Sequence, residues 1–310
     1  MTCWDALTLL TCLAAVATVA GLLGRLGWYL DLASHFRPHY FLILSLGALA
    51  FLLGRRYDAA AVSGIFALAN AAALLPLYLP RRDPSAPAQR RALRIWLLNV
   101  NFNSRAYERT LRAAREADAD ILVLMEVSQR WMAAFSELQA RYPHGRAMTL
   151  ERGFGIALLS RLPLEHIEIR AIGHANLPSV IARLAVGGRP LTLVGTHPLA
   201  PQNARFTRLR NGQLQEIARF AASQPDAVMV LGDLNTTSWS PAFRDALRLS
   251  RLQDSRHGFG IHATWPAWLG RWGVPIDHGL VSSHLMVHRR RVGPNVGSDH
   301  LPLLLDVAWR

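Results

Sequence analysis

The chain has 310 residues and is 51% hydrophobic, enough for one large domain or two smaller ones and more apolar than a purely soluble chain needs. Its 34 basic residues are all arginine, set against 21 acidic ones, and the resulting charge of +13 favours anionic partners: phosphorylated metabolites, phospholipid head groups or nucleic acid. The two cysteines, Cys3 and Cys12, lie in the apolar N-terminal part, which excludes a disulfide framework or a cysteine-based metal site in the polar remainder.

Residues 1–80 read as a membrane region. Ala6–Leu23 and Ala59–Leu79 carry no charge, and each is about the length of roughly 20 residues that a helix needs to cross a bilayer. Between them, Tyr40–Leu53 is short and reads as a third span or an interfacial piece. Three transmembrane helices are the preferred count and two the alternative. Trp28, Tyr29, Tyr40, Tyr57 and Tyr78 stand near the span ends, as interfacial aromatics do. Residues 81–92 form a Pro/Arg-rich linker whose prolines break regular structure and whose arginines suit a head-group surface.

From residue 93 to 310 strands and helices alternate. The runs "LRIWLLNV", "DILVLMEV", "GFGIALLS", "PLEHIEIR", "SVIARLAV", "LTLVGT", "AVMVLG", "IDHGLVS", "HLMVHRRR" and "HLPLLLDV" read as strands. Helical spacing covers residues 105–117, 129–141, 205–222 and 241–249. Strands outnumber helices and hairpins mix with crossovers, which predicts stacked α/β sheets covered by helices rather than a doubly wound sheet.

Polar residues recur at the ends of these strands: Asn99, Glu126, His197, Asp233 with Asn235, Asp277 with His278, and Asp299 with His300. One such residue would be a cap or turn former. So many of one chemical kind, at strand ends where ligand sites gather, point to a shared site. The carboxylates Glu126, Asp233 and Asp299 with the amides Asn99 and Asn235 make a hard oxygen site, suited to Mg²⁺ or Mn²⁺ rather than zinc. His197 and His300 remain for proton transfer or for holding an anionic oxygen, and Asp277 could fix the tautomer of one of them. Together they describe phosphoryl-ester hydrolysis by activated water.

This set resembles the endonuclease/exonuclease/phosphatase superfamily of DNase I-like enzymes. "LLNVN" is similar to its first-strand asparagine motif, "DILVLMEV" to its metal-binding glutamate motif, and "GFGIALLSRLPL" to its "G-x-G-x-A-x-L-S-R" hairpin. "LGDLNTT" is similar to its "G-D-x-N" motif, and "IDHGL" and "GSDHLPL" to its final pair. The resemblance implies a two-sheet, four-layer α/β sandwich, here preceded by an N-terminal transmembrane helical region. It implies Glu126 as principal metal ligand, with Asn99 and Asp299 around it. Asp233 would orient or deprotonate the attacking water, and Asn235 would contact the phosphate. His300, held by Asp277, would be base or phosphate ligand, and His197 would bind or protonate the scissile group. "THPLAP" stands where exonuclease III-type members carry a tyrosine motif, and Asn101 where some relatives place an acid.

The apolar helices, the basic linker and "GDLNTTSWSPAF" are together similar to a bacterial membrane-anchored branch associated with glycopeptide resistance. That implies an integral protein of the bacterial inner membrane and a lipid-linked phosphate or pyrophosphate substrate, since a tether raises the local concentration of a substrate in the same membrane. A membrane-anchored nuclease is the alternative. It is disfavoured because aromatics are not interleaved with the scattered arginines. A non-catalytic binding protein is the third reading. The side of the membrane is open: Arg25 and Arg37 against Arg55 and Arg56, with the linker arginines added, argue for a cytoplasmic domain, and the resemblance for the opposite face. Trp265, Trp268 and Trp272 read as loop packing, "HRRRV" as a solvated hairpin, and His35, His39, His257 and His262 lack ligand spacing.

Overall fold

A computed structural model describes residues 2–79 and 92–310. Of the expected linker at 81–92, all but Ala92 therefore lies outside the described residues.

The N-terminal part is helical: α1 (Cys3–Leu22), α2 (Trp28–Ser34), α3 (Arg37–Leu53) and α4 (Tyr57–Leu74). Two helices are long and apolar enough to cross a membrane, or three if the bent pair α2 and α3, inclined at 62°, is one span. The bend falls where Pro38 enters the first turn of α3, a position that needs no backbone donor. Small residues let the helices approach: a Cβ on Gly47 would strike the Thr11 side chain. Asn70 is fully buried and donates to Thr18 Oγ1 at 2.8 Å and to its own helix at Phe66 O, a polar link between α4 and α1. The start of α1 meets the end of α3, where Trp4 stacks on Phe51. The opposite end of the bundle rests on the α/β part. There Arg25 pairs with Asp245, Trp239 Nε1 donates to Ala73 O, and Leu74, Leu77 and Trp239 form a shared apolar cluster.

The remainder holds β1 (Leu93–Asn99), α5 (Tyr107–Ala117), β2 (Ile121–Met125), α6 (Gln129–Phe135), β3 (His144–Met148), β4 (Ile156–Ser160), β5 (His166–Ala171), β6 (Pro178–Val186) and β7 (Arg189–Thr196). It continues with α7 (Ala204–Ala222), β8 (Ala227–Asp233), α8 (Pro241–Ser250), β9 (Gln253–Asp254), β10 (Asp277–Val281), β11 (Leu285–Val292) and β12 (Leu303–Trp309). The strands form two six-stranded sheets, ordered β11-β12-β1-β2-β4-β3 and β5-β6-β7-β8-β10-β9. The pairs β1/β2 and β7/β8 are parallel, and each needs a crossover, supplied by α5 and α7.

Alternation along β1 sorts the layers. Leu93, Ile95 and Leu97 join the cluster between the sheets, with Val123, Leu193 and Leu305. Trp96 and Leu98 face outward onto Leu111 of α5 and Trp131 of α6. On the far side Val228 and Val230 meet Leu214 of α7 and Phe243 of α8. Helices, sheet, sheet and helices give the expected four-layer sandwich. Arg94 and Asp306 lie opposite in the β1/β12 register and bond in bidentate fashion at 2.6 and 2.9 Å.

Three sequence readings change. The helix expected over 129–141 ends at Phe135 and is followed by a 3-10 turn at Ser136–Leu138. Tyr142 OH instead donates to Ala119 O at 2.9 Å. The edge strand β3 had no apolar alternation to announce it. The last strand begins only at Leu303, since Pro302 cannot donate to a ladder; Asp299 and His300 therefore stand on a turn in front of the strand.

Candidate functional site

The site forms where the same ends of the central strands meet. Asn99 ends β1, Glu126 follows β2, His197 follows β7 and Asp233 ends β8. Because β10 runs antiparallel to β8, its first residue Asp277 lies directly opposite Asp233. The turn before β12 brings Asp299 and His300 to the same place. A cleft of about 510 Å³ is lined by Glu126, His197, Asp233, Asn235, Asp299 and His300.

One atom organises it. Asp233 Oδ2 lies 3.2 Å from Asn99 Nδ2, 3.3 Å from His197 Nε2 and 3.5 Å from His300 Nε2. His300 Nδ1 is 2.9 Å from Asp277 Oδ2, so its imidazole bridges two buried carboxylates. Burial works against charge on His300, but Asp277 and Asp233 outweigh it and hold its pKa up to about 10. Burial likewise opposes charge on His197, and the hydrogen bond and charge of Asp233 overcome it, so this pKa too is raised. Asp233 answers in kind: burial alone would raise it, yet the two imidazoles hold it well below the usual carboxylate range. Asn235 Nδ2 donates to Pro198 O at 2.9 Å and lies 3.2 Å from His197 Nε2.

Glu126 and Asp299 are held differently. Asn99 Nδ2 donates to Glu126 Oε1 at 2.8 Å and the Phe102 amide to Oε2 at 3.2 Å. Asn101 Nδ2 donates to Asp299 Oδ1 at 2.8 Å and Trp265 Nε1 to Oδ2 at 3.2 Å. Among the described residues no arginine bridges either carboxylate. Two cleft carboxylates with only neutral donors fit a hard cation. Ligand atoms of Asp233, Asp277 and His300 also lie within 4.8 Å of one another, a second acidic grouping beside the first. Glu126, Asn101 and Asn235 all take the left-handed backbone, at φ 61°, 56° and 49°, strain of the kind that gathers at functional sites.

Every residue singled out for the site from the sequence lies here. His278, also at a strand end, does not join them: it is buried behind Asp277, its Nε2 2.8 Å from Thr236 O and its ring against Phe243. Sequence reasoning missed several others. Trp265 touches Asp299, while Trp268 and Trp272 are 77% and 50% exposed rather than packed as expected. Arg290, expected on a solvated hairpin, is buried and donates to the Asp277 carbonyl at 3.2 Å. Burial pushes its pKa down to about 9. Leu32, His35 and Phe36, from the bend between α2 and α3, line the cleft as well, and no motif could have announced them.

Comparison with known proteins agrees with this architecture. The humanized D. rerio TDP2 structure is similar with a TM-score of 0.58 at 15% identity, covering 70% of this chain and 98% of that one. The human Nocturnin catalytic domain with bound sulfate anion gives a TM-score of 0.57 at 19% identity, over 72% of this chain and 97% of that one. Sphingomyelinase C from Streptomyces griseocarneus gives 0.50 at 19%, over 69% and 98%. At these identities the likeness is one of fold. No match was found among curated protein sequences. The profile of the Endonuclease/Exonuclease/phosphatase family matches residues 96–300, from within β1 to His300. The chain belongs to the endonuclease/exonuclease/phosphatase family.

Proposed function

We propose that the chain is a membrane-anchored, divalent-metal-dependent hydrolase that cleaves a phosphoester or pyrophosphate bond of a lipid-linked substrate. The observation that carries the hydrolytic part is the convergence of Asn99, His197 and His300 on Asp233 Oδ2. Glu126, Asn99 and Asp299 would hold Mg²⁺ or Mn²⁺. Such an ion, when bound, neutralises charge on the phosphoryl oxygens.

The protein's own groups supply the rest. Asp233 is ionised and buried, so its carboxylate orients the attacking water and takes its proton. His300, kept cationic by Asp277, donates from Nε2 to a phosphoryl oxygen. Asn235 Nδ2 donates to a second one, and His197 protonates the departing oxygen. The bond from water oxygen to phosphorus forms as the bond to the leaving oxygen breaks, and the site's donors face charge that grows on the way.

The lipid part rests on the surroundings. Leu32 and Phe36 of the helical region wall one side of the cleft. Beside it, an apolar groove of about 640 Å³ runs between α3, α4 and the Trp272 loop, lined by Phe41, Leu42, Leu68, Leu75 and Trp272. A substrate with its phosphate in the cleft has somewhere apolar to lay its chain.

Full-length protein in micelles with Mg²⁺ should release phosphate from farnesyl pyrophosphate, and faster than it nicks plasmid DNA. Turnover of plasmid alone would make it an anchored nuclease. No turnover of either, with Glu126→Ala identical to wild type, would leave a binding protein on the same fold.

A further inference from the structure

The segment after Asp233, "LNTTSWS", is held by the N-terminal helices at four residues, one of them through Arg210 of α7. The Asn235 carbonyl accepts from Arg210 NH1 at 2.8 Å, and Arg210 NH2 donates to Asp31 Oδ2 of α2 at 2.8 Å. Thr237 Oγ1 lies 2.9 Å from His35 Nδ1. Trp239 Nε1 donates to Ala73 O of α4, and Ser240 Oγ donates to the same Asp31 oxygen at 3.1 Å. Arg210 is wholly buried, and its Nε donates to Asn211 Oδ1 at 2.9 Å, so the guanidinium is fixed on all sides.

This grip reaches the chemistry. Asn235 carries one of the amides of the site, and its backbone sits at φ 49°, in the left-handed region that asparagine tolerates, so the aim of that amide depends on the loop keeping this turn. A guanidinium is planar and stays charged, so two acceptors on its terminal nitrogens are held at one fixed separation. A simple anchor needs none of this. A buried ion pair is also a poor stabiliser compared with apolar packing, so stability alone does not account for it.

We infer that Asp31 and Arg210 are positioning residues for Asn235, and that the N-terminal helices complete the catalytic centre as well as holding it in place. The catalytic consequence rests on the hydrolase reading above; the link between α2 and the loop does not. Without the link, Asn235 relaxes and its amide leaves the phosphoryl position, a displacement that lowers turnover rather than binding.

The test uses full-length protein in micelles with Mg²⁺ and two substrates lacking a lipid tail, bis-p-nitrophenyl phosphate and pyrophosphate. Asp31→Ala and Arg210→Lys should each lower kcat roughly 100-fold, as small misplacements do. The milder Asp31→Asn, which keeps size and an acceptor oxygen, should lower it roughly tenfold. KM and the Mg²⁺ concentration for half activity should stay within about twofold, since neither Glu126 nor Asp299 touches the link. The Asp31→Ala/Arg210→Lys double variant should lose no more than the worse single one. Hydrogen exchange of the amides at 233–237 should quicken in each variant while β2 and β7 stay protected. Wild-type kcat in a folded Asp31→Ala protein, additive losses, or unchanged exchange in the loop would overturn the inference. If the wild type hydrolyses no phosphoester at all, the hydrolase reading fails instead, and the exchange measurement alone decides the link.

Discussion

Replacing Asp277 by Asn isolates the charge that keeps His300 protonated. The amide oxygen still accepts from Nδ1–H, and the backbone contacts of residue 277 with Thr264 and Arg290 are untouched, so the ring keeps its place. The difference between the ordinary histidine value of 6.5 and about 10, at about 1.4 kcal/mol per pH unit, means that, net of burial, the site favours the imidazolium by about 5 kcal/mol. Asp277 is the stronger of the two charges, so its loss should bring the alkaline limb of kcat/KM down from about 10 towards the ordinary histidine range. The sign follows from linkage. A histidine raised on folding lends stability that is full below its unfolded pKa and is lost as pH rises through about 10, so the Asn variant should also melt earlier at neutral pH and match wild type more closely at high pH. The pH profile of farnesyl pyrophosphate hydrolysis, with melting curves at several pH values, measures both. An alkaline limb that stays in place in a folded Asp277→Asn protein would refute the assignment of His300 as a cation held by Asp277.

Glu126→Ala should leave the fold intact and lower Mg²⁺-dependent turnover by roughly three orders of magnitude, read as phosphate release over a Mg²⁺ titration. Gly232→Ala is expected to prevent stable folding, because a Cβ there would run into the Thr196 carbonyl of the neighbouring strand β7; a thermal melt like that of wild type would show that β8 has room to move. Both are read most cleanly beside His300→Ala, which should fold but melt earlier than wild type at neutral pH, because Asp277 and Asp233 lose their shared cation, while losing roughly 100-fold or more of kcat.

Much of this was legible in the chain. The nearly continuous apolar runs of β1, β2, β4 and β8 announce strands buried on both faces, because each face of such a strand must be covered by another layer. The polar residues that close those strands are visible for the same reason: any one alone would be a cap, but Asn99, Glu126, Asp233 and their like recur at strand after strand. What stayed hidden has no local signal. β3 is an exposed edge strand with polar residues, and Arg290 looks like any arginine of "HRRRV" until β10 packs against it. His35 has no partner within its own segment at all.

Sequence alone therefore determined the four layers, the family motifs and the identity of the polar groups, since each depends on a run of neighbours along one chain. Tertiary structure decided how those groups are paired. That His300 bridges Asp277 and Asp233, and that Asp31 reaches Asn235 through Arg210, joins residues between 23 and 179 positions apart along the chain. Such pairings arise only when two sheets close on one another and a helical bend docks on the loop beside them.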